Sequence, residues 1–260
     1  MALFPLPLHA YFREALSTFN STRSVLPGQR LSAVFGLPAV FSLRQPEVSS
    51  QVHRIVDAAV QQALRAHIGP RDYALAIDGA LIVPGLTTSA PHLQNSVRSN
   101  LPEVILRDNL EGGRCWSLGA RRGQVGIALP SVILPTHFTI DHIPSEVAED
   151  IGQAPRNVLL WGALDGRLNE QKYLDYAVRT TGATSAHAGP SLTQGYTFVL
   201  LANATYNIHL PSFVQRFPLD ETVRASGMSF GVFVIEVVDN WGSDAACLYR
   251  IRIHGTTVDN

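Results

Sequence analysis

The sequence has little of what most function classes need. Only two cysteines occur in 260 residues, Cys115 and Cys247. They lie far apart, with no CxxC or Cys/His spacing, which argues against structural zinc. On cysteine arithmetic alone they are one disulfide or two buried thiols. Neither charge sign is in excess: 20 Lys+Arg stand against 21 Asp+Glu. Without runs of either sign there is no basic face, so no nucleic-acid partner is expected. GxSxG, P-loop, HExxH and strand-to-helix glycine fingerprints are all missing, so no catalytic residue and no organic cofactor is expected. The longest apolar stretch, Leu31 to Leu43, is broken by Gly36 and Pro38 and falls short of the roughly 20 residues of a spanning helix. The start, MALFPLPLHAYFREAL, lacks the basic head and continuous apolar run of a secretory signal.

What is present divides the chain in three. Residues 1–45 carry prolines at 5, 7, 27 and 38 without a sustained period, and read as a poorly ordered N-terminal segment. In 46–69, Val48, Val52, Ile55, Val56, Ala59, Val60 and Ala63 recur at helical spacing until Gly69-Pro70. That predicts one amphipathic helix, packed on its own domain or trimerising. From 70 to 260 the pattern becomes short apolar or alternating runs between turn residues: YALAIDGALIV, EVILRD, RCWSLG, QVGIALPSVILP, HFTIDHI, RNVLLWGAL, KYLDYAV, YTFVLLANATYNI, FVQRFPL, GVFVIEVVDNW and CLYRIRIHG. The spacing predicts an all-β sandwich or jelly roll, not a βαβ fold. In the last run Cys247, Tyr249, Ile251 and Ile253 share one face, with Leu248, Arg250, Arg252 and His254 opposite, as in a strand with one buried face.

His137, Asp141 and His142 sit close together in THFTIDHIP and supply the right ligand types for a metal or acid-base site. Strand alternation sets His142 on the face of Phe138 and Ile140, away from Asp141 and His137, so the three do not converge unaided. Asn20-Ser-Thr and Asn203-Ala-Thr are glycosylation triplets, which matter only if the chain enters the secretory lumen.

Asp72-Tyr73-Ala74-Leu75, Arg114-Cys115-Trp116, Phe138 to Pro144, Ala154-Pro155, Asn240-Trp241-Gly242 and Cys247 to Gly255 together resemble the SUN-domain family, in the family's order. The resemblance implies a β-sandwich that forms a homotrimer and grips the C-terminal KASH peptide of an outer-nuclear-membrane protein. The module would then stand in the perinuclear lumen, as part of a LINC complex linking nucleus to cytoskeleton. The family's membrane anchor and longer coiled coil are not visible here, which fits a fragment, a truncated gene model or an anchorless relative alike.

The same resemblance implies site residues. Cys115 and Cys247 match the family's disulfide, whose bond braces a loop that wraps a monovalent cation, potassium or sodium. Val104, Arg107, Asn109 and Arg114 stand in that loop, which acts mainly through backbone carbonyls. His142 and Tyr249 match positions that hold the peptide's end, and both can donate hydrogen bonds to a carboxylate. Gln153 replaces a serine and Ala245 a tyrosine at bordering positions, so the recognition is expected to be weaker or differently shaped. Thr87 replaces a cysteine that bonds covalently to some partners, a chemistry threonine lacks. The lid corresponds to roughly Thr88 to Pro102, with Ser89, Leu93, Val97 and Leu101 its marked residues. The competing reading is a carbohydrate- or lipid-binding jelly roll, favoured if Trp161 or Tyr196 faces solvent.

Overall fold

The computed structural model describes residues 52–58, 70–89, 100–180 and 189–258. The chain divides into two units, Met1–Ala59 and Val60–Asn260. Of the first, residues 52–58 are described and are helical, with Val52, Ile55 and Val56 exposed. The rest of the expected 46–69 helix and the whole 1–45 segment lie outside the described residues.

The second unit is built on one long strand. β3 (Gly123–Asp141) is 19 residues long and belongs to two groups of strands. Its first half pairs with β1 (Leu81–Val83) and β7 (Phe230–Val237). From β7 the sheet continues to β4 (Asn157–Ala163) and β5 (Phe198–Thr205). Its second half pairs with β6 (Val214–Pro218) and β9 (Arg250–Thr257). A small ladder joins β2 (Trp116–Ser117) to β8 (Cys247–Leu248). All pairings are antiparallel, and the fold is a β-sandwich. The register of β3 slips between Ala128 and Ile133 against β7, and between Pro135 and His137 against β9. Pro130 and Pro135, which have no N–H to give to a ladder, lie at these two irregularities.

Alternation explains which residues meet. Val158 and Leu160 of β4 join Phe138, Ile140, Phe233, Ile235, Ile251 and Ile253 in the main core. Leu159, Trp161 and Ala163 face the other way and pack with Leu86, Phe198 and Val234. β4 is therefore buried on both faces, which is why RNVLLWGAL is apolar without a break. At Gly255 an added Cβ would run into the Leu134 carbonyl, so the β3–β9 approach there requires glycine.

Several expected strands are corrected. KYLDYAV lies in α1 (Arg167–Arg179), where Tyr173 and Tyr176, three apart, lean toward the core. A second helix, α2 (Glu221–Ser226), is capped by the Asp220 carboxylate, which accepts from the Thr222 N–H. YALAIDGALIV is strand only in β1, because Ala76–Asp78 forms a 3-10 turn closed by Gly79 at φ 102°. EVILRD is the 3-10 turn Pro102–Leu106, entered at proline. QVGIALPSVILP and HFTIDHI merge into β3. The expectation of one buried face for the last run also fails. Leu248 and His254 are buried, and Arg250 and Arg252 are largely covered, the arginines because Asp72 and Asp141 close over them.

Candidate functional site

His142 follows β3 directly, and Tyr249 joins β8 to β9, so the sheet brings the two side by side. Their rings meet edge to face at 4.8 Å. Both are buried, His142 at 2 % and Tyr249 at 6 % exposure. The His142 N–H donates to the Phe213 carbonyl, and its ring Nδ1 lies 3.0 Å from the Ile143 carbonyl oxygen. Its Nε2 is buried and has no hydrogen-bond partner. Burial holds the His142 pKa below its usual 6.5 against the opposing pull of the Ile143 carbonyl. Burial also pushes the Tyr249 phenol up, while its hydroxyl oxygen accepts from the Gly113 N–H at 3.2 Å.

These residues line one cleft of about 300 Å³ with Gly112, Gly113, Cys115, Val147, Ala148, Glu149, Asp150, Gln153 and Cys247. Gln153 enters it from the 3-10 turn Ile151–Gln153, whose cap is the Asp150 carboxylate accepting from Gly152 N–H. Cys115 and Cys247 are bonded, with Cα atoms 5.6 Å apart, so the disulfide forms part of the cleft wall. Ala245 is half-buried in the neighbouring loop and is not among the lining residues.

The ground beneath the site is ionic. The Asp141 carboxylate, fully buried, is paired with Arg252, whose Nε donates at 2.7 Å, and lies 3.9 Å from Arg250 Nε. Arg250 in turn holds Asp72 at 3.1 Å. Asp72 also accepts from the backbone N–H groups of Ala74 and Ile253. This chain of charges explains the covered back of β9. Burial pushes the Asp141 carboxyl up, and Arg252 pulls it back down. His137 goes elsewhere, stacking on His254 at 4.3 Å, so His137, Asp141 and His142 form no common centre.

Tyr206 was not singled out in the sequence. Its ring tilts against His142 at 5.9 Å, and its hydroxyl donates to the Phe213 carbonyl. Its backbone carbonyl accepts from Trp241 Nε1, and Arg156 stacks on that indole at 4.9 Å. Trp241 of the Asn-Trp-Gly block thus backs Tyr206, which packs against His142. Alternation in YTFVLLANATYNI could have marked Tyr206 as inward, though not what it touches.

The expected cation loop follows the Pro102–Leu106 turn. Val104's carbonyl accepts from the Arg107 N–H, and Asn109's side chain accepts from the Glu111 N–H. Arg107 is exposed, and Arg114 pairs with Glu111 at 2.9 Å. The carbonyls of Gly113 and Cys115 converge on Asn100 Nδ2, at 3.0 and 2.9 Å. Among the described residues no His, Cys, Asp or Glu cluster is fit to hold a metal. Converging backbone oxygens are the donor set that suits a hard monovalent ion, and here an amide nitrogen occupies the point of convergence.

Of the segment expected to form a lid, Ser89 and Leu101 are exposed, while Leu93 and Val97 lie outside the described residues. Its two ends are pinned. Thr88 exchanges backbone and side-chain hydrogen bonds with Gln124 of β3, and Asn100 is tied to the cleft rim as above. Thr87 is buried, donating to the Val83 carbonyl and accepting from the Gly126 N–H.

The β-sandwich thus carries a cleft walled by a disulfide and lined by a buried imidazole whose Nε2 has no partner. The chain belongs to the SUN-domain family: the Sad1/UNC-like C-terminal family matches residues 95–257. It is 25 % identical over 218 residues to mouse SUN domain-containing protein 2, covering 79 % of this chain and 26 % of that protein. To human SUN domain-containing protein 5 it is 26 % identical, over 60 % of this chain and 33 % of that one. Bovine SUN domain-containing protein 3 is 24 % identical, over 82 % and 54 % respectively. The chain thus spans from about a quarter to just over half the length of these curated relatives. A family 32 carbohydrate-binding module from Streptococcus pneumoniae EndoD overlays on 72 % of this chain and all of that one, at TM-score 0.46 and 14 % identity, a likeness too loose to bear on function.

Proposed function

We propose that the chain is a non-enzymatic peptide-binding module that takes the C-terminal carboxylate of a KASH-type partner in the His142–Tyr249 cleft. The observation that carries this reading is the convergence there of His142, with an unpartnered buried Nε2, Tyr249 with a hydroxyl hydrogen to give, and Gln153. Buried polar atoms in folded proteins find partners, so an orphan in a cleft marks a place where one arrives. Family membership supports the wider role: a trimeric bridge at the nuclear envelope, standing in the perinuclear lumen. The exposed apolar residues Val52, Ile55 and Val56 suit a trimerising helix, exposed Asn203 of β5 suits a lumenal glycan, and a monovalent cation would be held by the carbonyls around 104–115. No helix among the described residues is long and apolar enough to cross a membrane.

The test is binding of the full chain to tail peptides of membrane proteins, each with a free and an amidated C-terminus. Saturable binding that amidation abolishes is expected. His142→Ala and Tyr249→Phe should each weaken it about tenfold or more, as befits a hydrogen bond to a charged group. Equal binding of acid and amide, or none by any peptide, overturns the reading. The second reading, a sugar-binding module, draws on Tyr196, which is 61 % exposed, but Trp161 is 1 % exposed and offers no stacking face. Binding to a glycan array with a monomeric mass in solution would favour it.

A further inference from the structure

The neutral His142 ring presents the wrong atom to a carboxylate. A carbonyl oxygen can only accept, so the 3.0 Å approach of Nδ1 to the Ile143 carbonyl places the ring hydrogen on Nδ1. Nε2, the buried nitrogen without a partner, then carries a lone pair. A carboxylate brings only lone pairs of its own, and the two would repel.

The surroundings do not supply the missing positive charge. Glu149 and Asp150 line the cleft, and among its described lining residues there is no lysine or arginine. From the β8–β9 junction Tyr249 faces His142, and from beyond β5 Tyr206 does. Burial keeps both phenols un-ionised. On His142's own strand Asp141 is engaged by Arg252, with Arg250 next to it. Tyr249 can donate one hydrogen bond, since its oxygen already accepts from Gly113. His142 is the remaining lining group able to become a cation.

We infer that His142 takes up a proton as a carboxylate enters the cleft, so that capture of a chain terminus is strengthened by acid; this rests on the carboxylate-binding reading above. With a proton on Nε2 as well, the ring donates on both sides, to Ile143 within the protein and to the ligand without. At the rim, Gly112 and Gly113 have open space where a Cβ would stand, and Gly113 meets the Tyr249 hydroxyl through a single 3.2 Å bond. Buried and neutral in the free protein, His142 must gain its proton on binding. Linkage then weakens affinity up to about tenfold for each pH unit of increase between the free and bound pKa values.

The test titrates acetate into the full chain carrying ¹⁵N-labelled histidine, at pH 6.5 and 7.5, with acetamide as the uncharged control. Acetate stays ionised over this range, so the pH dependence belongs to the protein. The expected result is that acetate, not acetamide, doubly protonates one histidine, identified by its absence in His142→Gln. Its Kd should be weaker at the higher pH, by up to about tenfold. In His142→Gln, whose amide donates without titrating, Kd should be the same at both. Calorimetry of the unaltered protein in two buffers of different ionisation enthalpy counts the proton independently, should that variant fail to fold. Acetate bound with His142 singly protonated and a pH-independent Kd would overturn the inference while leaving carboxylate binding intact. Acetamide bound as well as acetate would show Nε2 to be an acceptor and overturn it too. No binding of acetate or of any acid-ended peptide would overturn both.

Discussion

Replacing both Cys115 and Cys247 by serine should loosen the whole unit and the cleft in particular. The bond closes 132 residues, and the chain-entropy relation for a loop of that size gives a stabilisation of about 5 kcal/mol at 25 °C. That figure is an upper bound, since residual structure in the unfolded chain reduces it, so a loss of about 3–5 kcal/mol is expected. For a unit of this size each kcal/mol moves Tm by about 2–4 °C, so thermal unfolding should fall by roughly 6–20 °C. The local effect should be sharper. The β2–β8 ladder pairs only two residues, and Cys115 and Cys247 both line the cleft. Hydrogen exchange across 107–115 should therefore quicken before the sheet opens. A fall in Tm below about 3 °C, with unchanged exchange in that segment, would refute the assignment of the bond as the brace of the cleft.

Two further outcomes follow from the charges. Asp141→Ala should cost about 3–5 kcal/mol in denaturant unfolding, because it strands the mostly buried guanidinium of Arg252, at 19 % side-chain exposure, while Arg250 keeps Asp72; a cost under about 1 kcal/mol would mean the pair is relaxed by water. Stability should also fall on acidification. His137 is lowered to about 4 by burial and by the neighbouring His254, and burial lowers His142 and His254 too. Each folded pKa lies below the unfolded value of 6.5, so below that pH the unfolded chain binds more protons, and stability is lost as pH drops toward 4. A denaturation midpoint that is level from pH 7 to pH 4.5 would refute this.

Sequence pattern made the sandwich legible where strands are regular. The runs that became β4, β5 and β7 stand where apolar residues and turns mark them. It misled where turn chemistry or helical spacing prevailed over apolar content. Ala-Ile-Asp-Gly and Pro-Glu-Val-Ile-Leu close 3-10 turns because of glycine and proline, and KYLDYAV is helical because its two tyrosines sit three apart. The alternation of residues 247–254 correctly separated Tyr249 from Arg250. It did not show that Arg250 and Arg252 are covered, since their partners Asp72 and Asp141 come from distant parts of the chain. The cleft itself was legible through family blocks alone, because no spacing rule joins Gly113, His142, Gln153 and Tyr249.

The two sides of the cleft differ in what holds them, and that difference bears on how it can work. His142 stands at the strand end that Asp141, Arg252, Arg250 and Asp72 clamp to β9, so the backbone that carries the ring is held in place. The opposite rim consists of two glycines, a tyrosine hydroxyl held by one bond, and Asn100, which donates to the carbonyls of Gly113 and Cys115. A displacement of Gly113 would therefore be felt at both Asn100 and Tyr249. Asn100 is in this way the tie between the Pro102–Leu106 turn and the Gly113–Cys115 rim, and the clamped end of β3 is the side of the cleft against which that rim would move.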